Sequence, residues 1–168
     1  MIPPGGGPTG LEVEVSGPRR GAAPGAPDDA FVAAVLSAAR EVPEIAARMP
    51  VGEAEVAVRV TDDDELRRLN HAFLGEDRPT DVLSFPAGEG QPGDARHLGD
   101  IAVSWPAVLR QAEEFGHPPP SELALLLVHG LLHLLGWDHA ALAEEAEMSR
   151  LTLSALAAAG VAVSPGRV

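Results

Sequence analysis

From Leu123 to Leu135 the chain reads LALLLVHGLLHLL, where only two imidazoles and a glycine interrupt the aliphatic side chains. A helix built from this run is apolar on nearly every side, so it must be buried, and the other elements have to be arranged around it. Pro118-Pro119-Pro120 forbids helix until Ser121, which stands ready as the N-cap. His129 and His133 are four residues apart, and 3.6 residues per turn stacks their rings on one face. Gly136 permits the left-handed exit that ends a helix, after which the chain can fold back and bring His139 toward the same point. Three neutral imidazole nitrogens, with a fourth position left to water, form the donor set of a catalytic zinc. A structural zinc takes four ligands, and the chain has no cysteine to supply another. A lone histidine on an apolar helix is ordinarily a hydrogen-bonded core residue. Three of the six histidines falling within residues 129–139, around a glycine, favour metal instead.

Length and charge set the outer limits. With 168 residues, 45% of them hydrophobic, the chain suits one globular domain with a real core. The sequence contains neither a stretch of eighteen uncharged apolar residues nor a basic N-terminal segment leading into an apolar one, so the expectation is a cytoplasmic protein. The absence of cysteine is compatible with that compartment. All twelve basic residues are arginine, and the net charge of −13 argues against general attraction to nucleic acid. Any contact with phosphates would be confined to a local arginine patch.

In chain order, residues 1–10 read as a disordered Pro/Gly-rich tail. Leu11–Val15 alternates with period two and predicts a strand, and 16–27 a flexible connection. Asp28 and Asp29 open a helix to about Glu41, with Phe31, Val32, Val35 and Leu36 as its stripe. Pro43 and Pro50 bracket a short irregular or helical piece. Glu55–Val60 is the clearest strand. Thr61 then reads as the N-cap of a helix to about Phe73, with Asp64 completing a capping box, so the acidic run 62–65 is helix chemistry rather than a metal site. Asp81–Phe85 and Leu98–Ser104 read as strands on either side of a loop at 87–97. Pro106 starts a helix to Phe115. The last helix covers about 140–159, with Met148, Leu151, Leu153 and Leu156 available for packing, and Gly160 closes it. Four strands interleaved with helices predict a mixed sheet covered by helices.

The segment His129-Gly-Leu-Leu-His133-Leu-Leu-Gly-Trp-Asp-His139 resembles the signature of the YbeY family of bacterial endoribonucleases. Asn70, the segment Pro79–Pro86, Leu98–Ile101 and Gln111-Ala112 follow the order and rough spacing of that family, so the resemblance runs from about 55 to 160. It implies a single α+β domain over 11–160, with a small four-stranded mixed sheet and about five helices, followed by a short tail at 161–168. It also implies one zinc held by His129, His133 and His139, and single-stranded RNA as substrate. The expected work is ribosomal RNA maturation at the 3′ end of the small-subunit RNA, on a ribosomal particle, with no membrane and no DNA as partner.

One position departs from the pattern. Leu74 falls where the family commonly carries an arginine, a residue whose planar fork matches phosphate oxygens. Arg78 or Arg68 is the expected stand-in. Thr80, Asp81 and Ser84 are candidates to line the cleft along an exposed strand edge, which makes Arg78, Thr80 and Ser84 the substrate-binding set. Asp138, beside His139, is the candidate to handle protons or to hold an imidazole in its ligating tautomer.

Two other readings share the motif. The spacing of the three histidines equals that of metzincin zinc peptidases, with Met148 downstream. Those enzymes place a glutamate after the first histidine, and here that position is Gly130. The third reading is a metal-stabilised assembly factor that binds a ribosomal particle without cutting RNA.

Overall fold

The structure is a computed structural model that describes residues 11–16, 25–87, 96–138 and 141–168. The tail read at 1–10, most of the connection before Asp28, most of the loop at 87–97, and His139 lie outside the described residues.

The elements in order are β1 (Leu11–Ser16), α1 (Asp29–Ala39), α2 (Pro43–Arg48), β2 (Ala54–Thr61), α3 (Asp63–Leu74), β3 (Val82–Pro86), β4 (His97–Ser104), α4 (Trp105–Phe115), α5 (Pro119–Leu134) and α6 (Leu142–Ala158). The four strands form one sheet in the order β1-β2-β4-β3, in which β1, β2 and β4 are parallel and β3 pairs antiparallel to β4. The fold is therefore α+β with a mixed sheet, as expected, with β3 as an edge strand beside the central pair. Among the described residues there are six helices, close to the expected five or so, because the piece bracketed by Pro43 and Pro50 closes into α2, with Pro43 in its first turn.

Alternation along the strands sorts residues to two faces. On β2, Ala54, Val56 and Val58 are buried while Glu55, Ala57 and Arg59 are half-buried. Val56, Val58, Ile101 and Val103 join the large core with α1, α5 and α6. On the other face Leu83 and Ala102 meet Leu66 of α3, with Leu69 and Phe85 packed against them. From Ser121 to Leu132 every residue of α5 is buried except His129, which is half-buried. The predicted central helix is thus central.

Two helix starts and one packing residue differ from expectation. The N-cap of α3 is Asp62, whose carboxylate accepts from the Glu65 backbone N–H at 2.9 Å. Thr61 remains in the sheet, paired in register with Ser104. The prolines do not delay α5: Pro118 is the N-cap and the helix starts at Pro119, because first-turn N–H groups have no intrahelical acceptor to lose. On α6 Met148, Leu151 and Leu156 are buried, but Leu153 is 47% exposed and lies off the stripe.

The end of α5 follows the sequence reading. Gly136 has a φ of 97°, its N–H donates to the His133 carbonyl at 3.0 Å, and Trp137 N–H donates to the Leu132 carbonyl at 3.0 Å. Arg48 lies over the Trp137 ring, 3.7 Å from its centroid, and donates to the Leu135 carbonyl at 3.4 Å. A cation thus sits at the negative end of the helix. The closing residues are docked: Val161 and Val163 pack on the core.

Candidate functional site

The i, i+4 spacing on α5 does bring two rings together. The Nε2 atoms of His129 and His133 stand 3.0 Å apart, with ring centroids at 4.5 Å and planes at 76°. Neighbouring nitrogens on a tetrahedral zinc, each about 2.0–2.1 Å from it, are separated by roughly 3.3 Å. The pair therefore fits two corners of such a site. A proton shared between the rings gives a similar separation, one nitrogen donating and the other accepting. Among the described residues no group of three or more His, Cys, Asp or Glu side chains gathers as a metal cluster.

The pair is held against the sheet by the residue between its members. A Cβ placed on Gly130 would lie 2.9 Å from Ile101 Cγ2 and 3.2 Å from Ser84 Oγ. Only a bare Cα lets α5 approach β4 and β3 this closely. Ser84 then donates its hydroxyl to the Gly130 carbonyl at 3.1 Å, tying the edge strand to the helix between the two histidines. Where a metzincin carries its glutamate, this helix has no room for a side chain. Met148 is a buried residue inside α6 rather than part of a turn, which removes the other feature of that reading.

The remaining sequence candidates are placed as follows. Thr80 donates to the Val82 carbonyl at 3.4 Å at the entry to β3. Arg78 is exposed and pairs with Glu76, and its backbone carbonyl accepts from the buried Asn70 side chain at 3.0 Å. Arg68 pairs with Glu65. Asp138 is exposed just beyond the end of α5. Leu74 is 57% exposed and lines a cleft on the α3 side of the sheet. Ser84 is the member of this group that contacts the histidine-bearing turn.

A second polar assembly, unforeseen from the sequence, sits two turns before His129. Glu122 is fully buried, and its Oε1 accepts from His117 Nε2 at 2.8 Å and from Arg167 Nε at 2.9 Å. Its Oε2 accepts from Arg167 Nη2 at 2.6 Å. His117 Nδ1 accepts the Ser164 backbone N–H at 3.0 Å, so the ring is the neutral tautomer with its proton on Nε2. Gln111 bridges onward, accepting from Arg167 at 3.3 Å and donating to Asp81 at 3.1 Å. The Glu122 hydrogen bonds hold the Arg167 guanidinium above its ordinary range. This network ties the closing segment, α4, α5 and the start of β3 into one unit. The one signal for it in the sequence was a carboxylate on a helix apolar all round, which must be paired if it is buried. Arg167 also lines a cavity of about 200 Å³ shared with His129 and Met148.

What the fold and site define is an α+β protein with a histidine pair set into its central helix beside an antiparallel edge strand. The family described as Endoribonuclease YbeY matches residues 28–160, and the chain belongs to it. Among its relatives are proteins named Endoribonuclease YbeY from Chloroflexus aurantiacus, 56% identical over 101 residues, and from Chloroflexus aggregans, 50% identical over 119. Those matches cover 56% and 67% of this chain, and 64% and 76% of the respective relatives. The chain thus spans a little under two thirds of the Chloroflexus aurantiacus protein. The solution structure of TM1509 from Thermotoga maritima superposes with a TM-score of 0.56 at 25% identity, over 93% of this chain and 99% of that one.

Proposed function

We propose that this chain is a zinc-dependent endoribonuclease specific for single-stranded RNA, acting in the cytoplasm on ribosomal RNA within a ribosomal particle. The observation that carries this reading is the convergence of two Nε2 atoms to 3.0 Å on a buried helix, in a chain of an endoribonuclease family. His129 and His133, with His139, would hold one zinc ion. Such an ion, when bound, acidifies a water molecule and neutralises charge developing on a phosphoryl oxygen.

The chain's own residues have defined parts in this reading. With Nε2 of both rings turned inward, Nδ1 must carry the proton for the rings to act as neutral ligands. Ser84 uses its hydroxyl proton on the Gly130 carbonyl, so its part is to fix the helix against the edge strand rather than to donate to substrate. Arg78 and Thr80, in the approach to that strand, are the substrate-side residues. Asp138, adjacent to His139 in the sequence, would handle protons or hold that imidazole in its ligating tautomer. The filled space around Gly130 is the observation that ranks peptidase chemistry below nuclease chemistry.

The test combines metal content with two substrates. Purified protein should carry about one equivalent of zinc, cut labelled single-stranded RNA in preference to duplex, and leave a denatured protein intact. His133→Ala should lose the zinc and the cutting while keeping its far-ultraviolet dichroism. Zinc retained by His133→Ala would overturn the metal assignment. RNA bound but not cut by the zinc-loaded protein would replace the nuclease with the assembly factor.

A further inference from the structure

On the face of the sheet away from α5 lies a cleft of about 510 Å³ lined by Ala57, Ala102, Phe73, Leu74 and Phe85. Its depth comes from the two alanines, which sit on adjacent paired strands where larger side chains would fill it. Arg59 and Asp100 add a donor and an acceptor to its wall. Phe73 is 68% exposed, and its ring lies 5.2 Å from that of Phe85 at 55°. The chain has only four Phe, two Trp and no Tyr, and both tryptophans are buried. Phe115, the other exposed ring, is covered by the Arg167 guanidinium. An open aromatic face is therefore concentrated at this cleft.

Two further observations say what the face is for. Phe85 and Ser84 are consecutive on the edge strand and point to opposite faces: Phe85 toward the cleft, Ser84 toward the Gly130 carbonyl between the histidines. The cleft and the histidine pair are thus the two banks of one strand edge. The arginines around the cleft are already engaged by carboxylates, since Arg59 and Arg68 share Glu65, Arg67 pairs with Asp77 and Arg78 with Glu76, in a chain of net charge −13. Phosphate attraction is weak here, whereas stacking on an aromatic ring needs no net charge.

We propose that this cleft is a base-binding subsite for single-stranded RNA, in which a nucleobase stacks on the open face of Phe73 while the strand crosses the β3 edge toward His129 and His133. The subsite rests on the RNA reading above and adds to it a source of affinity other than charge. Leu74 extends the apolar wall beside the base.

The test is fluorescence anisotropy on the full chain, with chelator present so that nothing is cut. The probes are labelled octaadenylate and an abasic ribophosphate oligomer of equal length. Phe73→Ala should weaken octaadenylate binding about tenfold, Phe73→Trp should restore it, and the abasic oligomer should bind all three proteins alike. Thermal melting of Phe73→Ala within a degree or two of the parent would show that the exposed ring was not holding the fold. Octaadenylate bound equally by Phe73→Ala and the parent would overturn the subsite. So would a fall in sedimentation mass in Phe73→Ala, which would make the cleft a contact between copies of the chain. If the zinc-loaded parent neither binds nor cuts any RNA, the nuclease reading fails. If it cuts and Phe73→Ala cuts and binds as well, only the subsite fails.

Discussion

The two faces of the sheet are built to different standards. Toward α5, the strand residues Val56, Val58, Ile101 and Val103 are closed over by α1, α5 and α6 in one continuous core. Toward α3, a single helix covers part of the sheet through a small cluster of Leu66, Leu83 and Ala102, and Phe73 and Leu74 stand open at its end. The thick side fixes positions: it sets a helix against two strands so closely that only glycine fits between the histidines. The thin side leaves surface. On the proposed function, two ring nitrogens held rigidly and an RNA strand admitted beside them are separate tasks, and one sheet would carry them on its two faces.

The sharpest way to break the thick side is through its buried charge. Glu122→Ala removes the acceptor of three N–H donors and leaves the half-buried Arg167 without its counter-charge. The expected cost is about 3–5 kcal/mol, read as a lower denaturant midpoint at unchanged slope. A loss under about 1 kcal/mol, the range of an exposed pair, would mean that the closing segment contributes nothing to α5.

Next in size is Gly130→Ala. Helix propensity alone would make this change favourable by up to about 1 kcal/mol. The contacts at 2.9 Å to Ile101 and 3.2 Å to Ser84 decide the opposite sign. A net loss of about 1–3 kcal/mol is expected and, on the proposed function, weaker zinc binding as α5 lifts from the edge strand. Combining it with Ile101→Ala should cost less than the two single changes added, because both act on one contact. Strict additivity would show that the close approach is not what requires glycine here.

What the sequence made legible divides along physical lines. Period-two alternation marked β2, and a run apolar on all sides marked α5 as central, since burial repeats with the geometry of the element. The histidine pair was legible because i, i+4 neighbours meet in any helix. Thr61 and Asp62 were confused because both carry a capping oxygen, and only pairing with β4 decides which of them stays in the strand. The proline run was read as a barrier although its lost donors fall where a helix has none to satisfy. The Glu122–Arg167 pair joins residues 45 apart, and no local pattern announces such a partner. The tightness at Gly130 was likewise out of reach, because it depends on where Ile101 of a distant strand points.

The smallest effect separates the two faces by acid. Near its N-terminus α3 is held by Asp63, which accepts from Ser104 Oγ at 2.6 Å and from Arg110 Nη1 and Nη2 at 2.9 and 3.1 Å. The Arg110 hydrogen bonds, aided by Ser104, hold the Asp63 carboxyl below its ordinary value of 3.8. Glu65, one turn of helix away at most, is lowered likewise by Arg68 and Arg59. A group lowered on folding adds stability that is fully present above its unfolded value and is lost as pH falls through the folded one. Both side chains of the Asp63–Arg110 pair reach solvent, so the contribution lies within the roughly 0–1 kcal/mol of exposed pairs. Hydrogen exchange should therefore show α3 amides keeping constant protection from pH 7 down to about 5, then losing it below about 4 while α5 amides hold. Asp63→Asn should start with the lower protection and show a smaller acid step, the Glu65 part of it remaining. Equal loss from α3 and α5 in the parent would mean that the helix over the thin face opens only with the whole fold, and that the two faces are not separate in stability.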